Sequence, residues 1–516
     1  MVEENRVETG LSGEELSELK PLVVAVVGPT NEGKTSLLRT LTNDPDFGCV
    51  NAFTGTTVRA EIQKVFYRGI AEILQLIDTP GFQTSSEIME RVLESPEVAS
   101  RRGEYGLAEI LGAIPLDDED FRHDLRAWRE IERCDVVVFV ANVAEDPNKS
   151  LLRNTLTLLQ HIGKPTLVAY NNLGDSEQPM GSPVRENFQR EWDETLSRNS
   201  FFLVQRYDAH RRSFQDEVAL FEKLVALTRD SLTQRVLRLE IRERRARELR
   251  RLNASRTTIA EMLLDVAAFQ KEETGVELAD WKERQKELER ALRETVLKRE
   301  HDAQSALLET WGFKFGALDR EALVVDDDSQ ERDDFFDDDV KKSGAVGVGV
   351  GAAIGGIVDV ASAGLTFGTG LTIGAFLGGL LGGGGAMAYN SKYDKKRKRL
   401  SSRVQKRVVE ALTARGVDLV RKLQTRGKAM EDATPATLAA QPPRIELPEL
   451  FKTLDSFSRN PSYSKLNASK STLGFDYFDW RRIPGASLLA GEEYKTRDEA
   501  IAILAELLRK AIPDAE

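Results

Sequence analysis

The sequence predicts an α/β domain with a doubly wound, mostly parallel sheet, followed by a mainly α-helical region and a small C-terminal domain. Apolar runs of strand length recur along the amino-terminal half, and each is followed by a turn and a helical pattern. Beyond residue 231 the chain is charged, poor in proline and glycine, and carries apolar residues at helical spacing. A length of 516 residues is typical of roughly two to four domains.

The first predicted strand, Leu22–Val27, runs into a turn with the spacing GxxxxGKT. Glycines at both ends let the backbone wrap closely, and the next helix directs its first N–H groups to the same point. A phosphate fits there, with the lysine reaching the outer phosphates and the threonine hydroxyl available to Mg²⁺. The predicted nucleotide-binding residues of this turn are Gly28, Asn31, Glu32, Gly33, Lys34, Thr35 and Ser36.

A second apolar run, Ala71–Ile77, ends in Asp78-Thr79-Pro80-Gly81. An aspartate at the carboxyl end of a strand can hold Mg²⁺ through water, and the glycine amide beside it can meet the γ-phosphate. Thr35 and Asp78 are therefore the predicted metal-binding residues of this part of the chain. Lys34, Asp78 and Gly81 are predicted to take part in catalysis on a nucleoside triphosphate.

Two further core strands are predicted at Asp135–Val143 and from Thr166 onward. The second leads into Asn172-Leu173-Gly174-Asp175, and an Asn-x-x-Asp motif after a strand favours guanine. Its carboxylate accepts hydrogen bonds from the base N1–H and 2-amino groups, which adenine lacks. The same stretch shifted by one residue begins at Asn171 and contains no acid, so Asn172 and Asp175 are the preferred base-binding pair.

Taken in order, these motifs resemble those of the TrmE–Era branch of the translation-factor-like P-loop GTPases, over about residues 20–230. The resemblance implies a molecular switch that hydrolyses GTP to GDP and phosphate. Thr54–Arg59 matches the first switch of that branch, where Thr57, or alternatively Thr56, closes over Mg²⁺ and the γ-phosphate. Asn31 lies where the branch carries an asparagine linked to potassium-stimulated hydrolysis, which implies K⁺ as a second cation.

The sequence departs from that branch in its base-binding motifs. The lysine that usually follows the first asparagine of the guanine motif is missing, which would weaken selectivity for guanine. The last base-contacting motif follows the predicted strand Phe201–Tyr207, and its best match is Asp208-Ala209-His210.

The residue after Gly81 is Phe82 and not glutamine, which implies slow turnover with the attacking water positioned by other means. Gln83 comes one residue late for that role. The long charged stretch that follows, residues 82–134 (hereafter the insert), is predicted to contain an enlarged second switch and a helix over Asp120–Arg133. Arg101 and Arg102 in the insert are solvated charges in one interpretation and catalytic or partner-binding in another.

Composition constrains partners and compartment. A net charge of −12 argues against a general nucleic-acid binder. The two cysteines, Cys49 and Cys134, are too few for a disulfide framework or a metal cluster, which fits a reducing compartment. The acidic amino-terminal extension lacks the pattern of a signal peptide, so we expect a cytoplasmic protein.

The predicted organisation has seven parts along the chain. In order they are an extension (1–20), the GTPase domain (21–230), a helical region (231–325), an acidic linker (326–342), a glycine-rich apolar hairpin (343–391), a basic helix (392–430) and a C-terminal domain (431–516). The helical region is predicted to hold two or three long helices, with a coiled coil as one form. Its arginine-rich stretch Arg238–Arg251 is either a solvated helix face or an anion- or RNA-binding surface. This layout resembles bacterial GTPases with a large uncharacterised C-terminal domain.

The segment Ser343–Ser391 contains one charged residue, Asp359, and two stretches with glycine at every fourth position. That spacing gives a helix a flat groove for close approach of another helix, and two arms of this segment have lengths near the bilayer thickness. Basic residues flank both ends, which favours a hairpin inserted from the inner face of the cell membrane. A soluble hairpin packed on the helical domain and a disordered linker are the alternatives.

The sequence thus favours a GTP-hydrolysing switch that associates with a membrane through the hairpin and that forms a nucleotide-dependent dimer in one version of this hypothesis. A soluble GTPase related to RNA, the ribosome or tRNA modification is the first alternative. A GTP-binding scaffold without turnover is the second.

Overall fold

A computed structural model describes residues 11–44, 47, 60–101, 104–115, 119–171, 183–209, 211–313, 318–320, 389–426, 436–438, 445–467 and 496–515. The chain falls into two compact units. The first consists of residues 1–248, 424–434 and 515–516, and the second of residues 249–423 and 435–514. Buried apolar clusters lie within each unit.

In the described part of the first unit, the strands form one six-stranded sheet. They are β1 (Leu22–Val27), β2 (Glu61–Tyr67), β3 (Ala71–Asp78), β4 (Val136–Asn142), β5 (Thr166–Asn171) and β6 (Val204–Arg206). Their order is β2-β3-β1-β4-β5-β6, with β2 antiparallel to β3 and the remaining pairs parallel. The predicted doubly wound, mostly parallel sheet is confirmed.

The helices of the first unit begin with α1 (Gly13–Glu18), which a capping box between Ser12 and Glu15 starts. The others follow the strands and fill the insert. They are α2 (Lys34–Thr42), α3 (Ser85–Glu94), α4 (Pro96–Ser100), α5 (Leu107–Ala113), α6 (Arg122–Arg133), α7 (Ser150–Ile162), α8 (Pro183–Arg198) and α9 (Phe214–Leu227).

Alternation of side chains along β1 separates the two apolar clusters of this unit. Val24 and Val26 belong to the cluster that contains residues of α2 and α9. Ala25 and Val27 belong to the cluster on the other face, with residues of α3 to α8. Both faces of β1, a central strand of the sheet, are therefore covered. The turn after β1 lies at the carboxyl edge, in the middle of the sheet.

Two long helices predicted between residues 231 and 325 are present as α10 (Ser231–Ala267) and α11 (Trp281–Thr310), separated by β7 (Gln270–Thr274). Helix α10 begins in the first unit and ends in the second. The remaining elements are β8 (Leu318–Arg320), β9 (Tyr389–Asp394), β10 (Arg399–Val404), α12 (Lys406–Thr425), β11 (Ala436–Leu438), α13 (Pro448–Ser458) and α14 (Arg497–Leu508).

Strands β7, β10 and β9 form an antiparallel sheet in that order, and β8 pairs with β11. Helix α14 starts with the predicted capping box of Thr496 and Glu499. The interruption by β7 leaves α10 and α11 as separate helices and not one continuous coiled coil.

The prediction of a basic helix over residues 392–430 is wrong in its first part, where β9 and β10 form a hairpin. Leu400, Ser402 and Val404 are buried in alternation along β10, the pattern of a strand with one covered face. The basic residues between the strands form the turn, where the Asp394 carboxylate accepts the N–H groups of residues 396 and 397. Helix begins only at Lys406.

The first unit also extends beyond the predicted end of the GTPase domain at residue 230. Val236, Leu237 and Ile241 of α10 are buried in the apolar cluster shared with α2 and α9. Apolar burial therefore carries this unit into the helix that the sequence assigned to the following region.

Two arginines of the arginine-rich stretch, Arg244 and Arg247, form ion pairs with buried carboxylates. Glu240 is 1% exposed and pairs with Arg244 at 3.0 Å and with Arg247 at 2.6 Å. Arg244 also pairs with the buried Glu217, and its guanidinium lies 4.0 Å above the Phe221 ring centroid. These two arginines neutralise interior charge. Arg238, Arg242, Arg245 and Arg250 of the same stretch are exposed, as the solvated-face interpretation predicts.

The acidic linker and the glycine-rich hairpin, residues 326–342 and 343–391, lie almost entirely outside the described residues. Within the described part of the chain, every helix is too short or too polar to cross a bilayer. The hairpin therefore stays a prediction.

Candidate functional site

The turn after β1 has a backbone that its glycines make possible. Gly28 has φ +152° and Gly33 has φ +85°, conformations in which a side chain is strained. A Cβ at Gly28 would lie 2.8 Å from the Val140 carbonyl oxygen, and one at Gly33 would lie 2.4 Å from the Asn171 amide nitrogen. Asn31 also has a positive φ, 68°, and is exposed. The two glycines thus let the loop lie directly against Val140 of β4 and Asn171 of β5.

Helix α2 starts at Lys34, directly after Gly33, so its first N–H groups point into this loop. The Lys34 side chain is buried, and its Nζ donates to the carbonyl oxygens of Gly28 at 3.2 Å and Pro29 at 2.7 Å. Burial lowers the pKa of Lys34 to about 8, although Asp78 and Glu32 act in the opposite direction. An anion bound in the loop would raise that pKa again.

Thr35 and Asp78 meet at the mouth of the loop. The Thr35 hydroxyl donates to Asp78 Oδ2 at 2.5 Å, and both side chains are buried. Asp78 ends β3 opposite Val26 of β1, which brings it next to the loop. A hydroxyl and a carboxylate beside a phosphate site form the oxygen-rich set that Mg²⁺ takes in nucleotide-binding proteins, so these residues fit that ion.

The segment after Asp78 lies directly on the loop. A Cβ at Gly81 would lie 2.5 Å from the Thr30 Cα, and the Phe82 N–H donates to the Gly28 carbonyl at 3.1 Å. The Phe82 ring is buried and lies 5.0 Å from the Trp128 ring. Gln83 is exposed, and its amide donates to the Thr30 hydroxyl at 3.3 Å. Phe82 is therefore a packing residue, while Gln83 lies beside the loop.

Asn171, the last residue of β5, joins three parts of the site. Its amide nitrogen donates to the Glu32 carbonyl at 2.8 Å, and its oxygen accepts the Ala209 N–H at 2.9 Å. The Thr40 hydroxyl of α2 donates to the Ala209 carbonyl at 2.8 Å. The phosphate loop and the segment Asp208-Ala209 are thus held together by one fully buried amide.

The sequence pattern favours Asn172 over Asn171, because the motif that begins at Asn171 contains no acid. The preferred pair, Asn172 and Asp175, lies outside the described residues, as does Thr57 of the predicted first switch. The signal in favour of Asn171 was its place as the final residue of an apolar strand, where side chains at the carboxyl edge converge.

Glu32 adds a buried carboxylate to the loop. It is buried, its Oε2 finds no hydrogen-bond partner among the described residues, and desolvation followed by the charge of Glu145 raises its pKa to about 7. It lines a cleft of about 620 Å³ together with Thr30, Gln83, His123, Glu145 and Lys149, among others. In the insert, Arg101 pairs with Glu109 at 2.6 Å, and Arg102 lies outside the described residues.

Two parts of the chain match models of protein families. Residues 193–474, more than half of the 516, match the model of a domain of unknown function, DUF3482. The chain belongs to the DUF3482 family. Residues 23–172 match a second model, described as a 50S ribosome-binding GTPase, and they contain the glycine-bounded loop, Asp78 and Asn171. The amino-terminal part of this DUF3482 protein is a P-loop GTPase domain that binds guanine nucleotide.

Two curated relatives are tRNA modification GTPases MnmE, from Bordetella parapertussis and Bordetella bronchiseptica. Each is 26% identical over 127 residues, which is 25% of this chain and 21% of the relative. The chain thus spans about a fifth of the length of the curated relatives it matches.

Solved structures with some similarity include Era from Aquifex aeolicus bound to GDP and AlF4⁻, with 17% identity and a TM-score of 0.28 over 51% of this chain and 75% of that one. The G domain of the FeoB iron transporter from T. maritima is 20% identical, with a TM-score of 0.24 over 40% of this chain and 99% of that one.

Proposed function

We propose that this protein hydrolyses GTP to GDP and phosphate and works as a slow molecular switch. The observation that supports this most is the 2.5 Å contact between Thr35 and Asp78 at the mouth of the glycine-bounded loop. A hydroxyl from the helix that binds phosphate and a carboxylate from the neighbouring strand converge where a triphosphate and its metal ion would lie. Neighbouring buried Lys34 supplies the positive charge that phosphoryl transfer needs.

Different residues of this chain would bind the phosphates and the base. The loop amides and Lys34 bind the phosphates, while Gly81 presents its N–H to the γ-phosphate. Asn172 and Asp175 contact the guanine base, and Asn171 holds the loop against Asp208-Ala209 on the base side. The absent lysine of the guanine motif leads us to expect weaker discrimination against other bases.

Mg²⁺ would be held by Thr35, Asp78 and Thr57, and it supplies charge neutralisation on the phosphate oxygens. We further propose K⁺ at Asn31, which is exposed and lies where the TrmE–Era branch carries an asparagine linked to potassium-stimulated hydrolysis. Turnover is slow because the side chain after Gly81, Phe82, is buried against Trp128 and cannot orient water.

The predicted hairpin over residues 343–391 would couple the nucleotide state to the inner face of the cell membrane. Its support is the sequence alone, in the fourfold glycine spacing and the basic residues at both ends. An RNA-directed function is the weaker alternative, because the net charge of the chain is −12 and two arginines of the arginine-rich stretch, Arg244 and Arg247, pair with the buried Glu240. A nucleotide-dependent dimer would fit either function.

Phosphate release from GTP by purified wild type and by Lys34→Ala, each in K⁺ and in Na⁺, tests the activity. We expect slow release by wild type, more in K⁺, and none by the variant. Binding of GTP without any release would favour a scaffold and refute the hydrolytic switch.

Flotation with anionic vesicles tests the membrane function separately. We expect the full chain to float and a chain lacking residues 343–391 to remain at the bottom of the gradient. Equal flotation of both would refute the hairpin as the membrane element, and steeply salt-dependent RNA binding without flotation would favour the alternative.

A further inference from the structure

Helix α6 presents two side chains, four residues apart and thus on one helix face, to the segment that follows Gly81. The Asp124 carboxylate accepts the backbone N–H of Gln83 at 3.0 Å and that of Thr84 at 3.2 Å. One turn later, the Trp128 ring packs on Phe82 with 5.0 Å between centroids. Both α6 side chains are completely buried.

Asp124 holds the two residues that lead into a helix of another part of the insert. Helix α3 starts at Ser85, and Thr84 at its N-cap makes no side-chain hydrogen bond to the helix. The carboxylate of Asp124, 40 residues along the chain, accepts the N–H of Thr84 and that of Gln83 before it, close to the helix start, where negative charge is favoured. The entry of the chain into α3 is therefore held by α6.

The same segment is fixed from its other side by the phosphate loop. The Phe82 N–H donates to the Gly28 carbonyl, and Gly81 lies against Thr30 with no space for a side chain. A continuous set of contacts thus runs from α6 through Phe82, Gln83 and Thr84 to the loop. Gly81, the residue whose amide meets the γ-phosphate in the proposed function, lies at its end.

A buried carboxylate is a costly acceptor for two backbone N–H groups. Desolvation raises the pKa of Asp124 to about 6 in spite of the N–H groups it accepts, and Glu87 of α3 adds to the rise. A protein that required only a stable insert would do better with an uncharged side chain at this position. Groups kept at such an expense in stability are commonly functional.

We propose that Asp124 and Trp128 are positioning residues for GTP hydrolysis, which hold the Phe82–Thr84 segment so that the Gly81 amide is directed at the γ-phosphate. The inference rests on the proposed function. It also makes α6 the element through which the insert controls turnover, because any shift of α6 moves the two anchors together.

Steady-state phosphate release, GDP affinity and unfolding temperature of the full chain test this proposal with three variants and one control. Asp124→Ala removes both acceptor oxygens, Asp124→Asn keeps one of them, and Trp128→Phe keeps an aromatic ring. Asp120→Ala removes an exposed carboxylate four residues earlier and is the matched control.

We expect kcat to fall about tenfold or more in Asp124→Ala and less in the other two variants, since a small misplacement of a transition-state donor is expensive. Affinity for GDP should stay within about twofold of wild type, because GDP has no γ-phosphate for the Gly81 amide to contact. The control should match wild type in all three measurements.

The outcomes separate this inference from the proposed function. If wild type releases no phosphate, the proposed function fails and this inference fails with it. If wild type is active and Asp124→Ala keeps the same kcat, only this inference is overturned. The same holds if kcat and GDP affinity fall together, as a purely structural role predicts. Should Asp124→Ala not fold, wild-type kcat in both Asp124→Asn and Trp128→Phe would overturn it.

Discussion

Both units of the molecule bury charged side chains, but the phosphate loop of the first unit satisfies its charges differently from the buried ion pairs of the second unit. In the second unit, Asp265 is buried and accepts hydrogen bonds from Arg299 at 2.8 Å and from Arg497 and the Lys465 N–H at 2.9 Å. The buried Glu300 pairs with the buried Arg415 at 2.9 Å. Each of these carboxylates has a fixed cation as its partner.

In the first unit, by contrast, Lys34 is held by two backbone carbonyl oxygens and its pKa falls to about 8. Glu32 keeps an oxygen that finds no partner among the described residues, and its pKa rises to about 7. Buried charge by itself therefore does not identify a site. What distinguishes the phosphate loop is that its cation is held by backbone carbonyl oxygens and that burial shifts the pKa values of Lys34 and Glu32 toward neutral pH.

The largest effect that this comparison predicts lies in the second unit. Glu300→Ala would leave the Arg415 guanidinium buried without that carboxylate, and breaking a buried pair in this way costs about 3–5 kcal/mol of unfolding free energy. Urea unfolding would measure the loss. Nucleotide binding measured in the same preparation without urea should be unchanged. A loss below about 1 kcal/mol would show that the pair is not structural.

Lys34→Ala should do the reverse, because it removes a poorly compensated cation from the site. We expect affinity for GDP to fall by roughly 10- to 100-fold, the value of one or two hydrogen bonds to a charged phosphate. The unfolding temperature should stay equal or rise, since a buried cation is removed. A clear drop in the unfolding temperature with unchanged GDP affinity would place Lys34 among the structural charges.

Asn171→Ala should affect both properties and so tests where the site and the fold overlap. It leaves the Glu32 carbonyl and the Ala209 N–H without the amide, at about 1–3 kcal/mol of unfolding free energy. GDP affinity should fall as well, because the loop loses its link to Asp208-Ala209. Asn199→Ala, a control near the end of α8, should leave GDP affinity unchanged.

The smallest effect concerns the pH dependence of stability. Since the folded-state pKa of Asp124 is raised above its ordinary value of 3.8 to about 6, its favourable contribution is complete below pH 3.8 and is lost as the pH rises through 6. Asp124→Asn does not ionise, so it should gain roughly 1–2 kcal/mol over wild type between pH 4 and pH 7. Thermal unfolding at both pH values, with Asp120→Asn as control, measures this. A pH-independent difference would contradict the raised pKa.

Much of the first unit follows from local sequence. The apolar runs at Leu22–Val27 and Ala71–Ile77 end within one residue of the observed strands, because buried parallel strands are continuously apolar and bounded by turn residues. Lys34 and Thr35 follow β1 and Asp78 ends β3, so all three lie at the same sheet edge although Thr35 and Asp78 are distant in the chain. Each motif is local, and the general rule that parallel strands share a carboxyl edge brings the motifs together.

Other features depend on distant residues and could not be read from the sequence. The contact of Asp124 with Gln83 and Thr84 joins residues some 40 positions apart. The sequence predicts a helix at β10 because the stretch is basic and carries apolar residues at helical spacing from Val404 onward. Pairing with β7 and β9 instead gives these residues the conformation of a strand. Likewise, the burial of Arg244 of α10 is explained by Glu217, which lies on another helix.

Isothermal titration of the purified chain with GDP in the presence of Mg²⁺ tests the central claim most directly. We predict binding of one GDP per chain in the wild type and at least a roughly tenfold weaker interaction in Lys34→Ala. Absence of binding to wild type, or equal binding to both proteins, would contradict a guanine nucleotide site at the glycine-bounded loop.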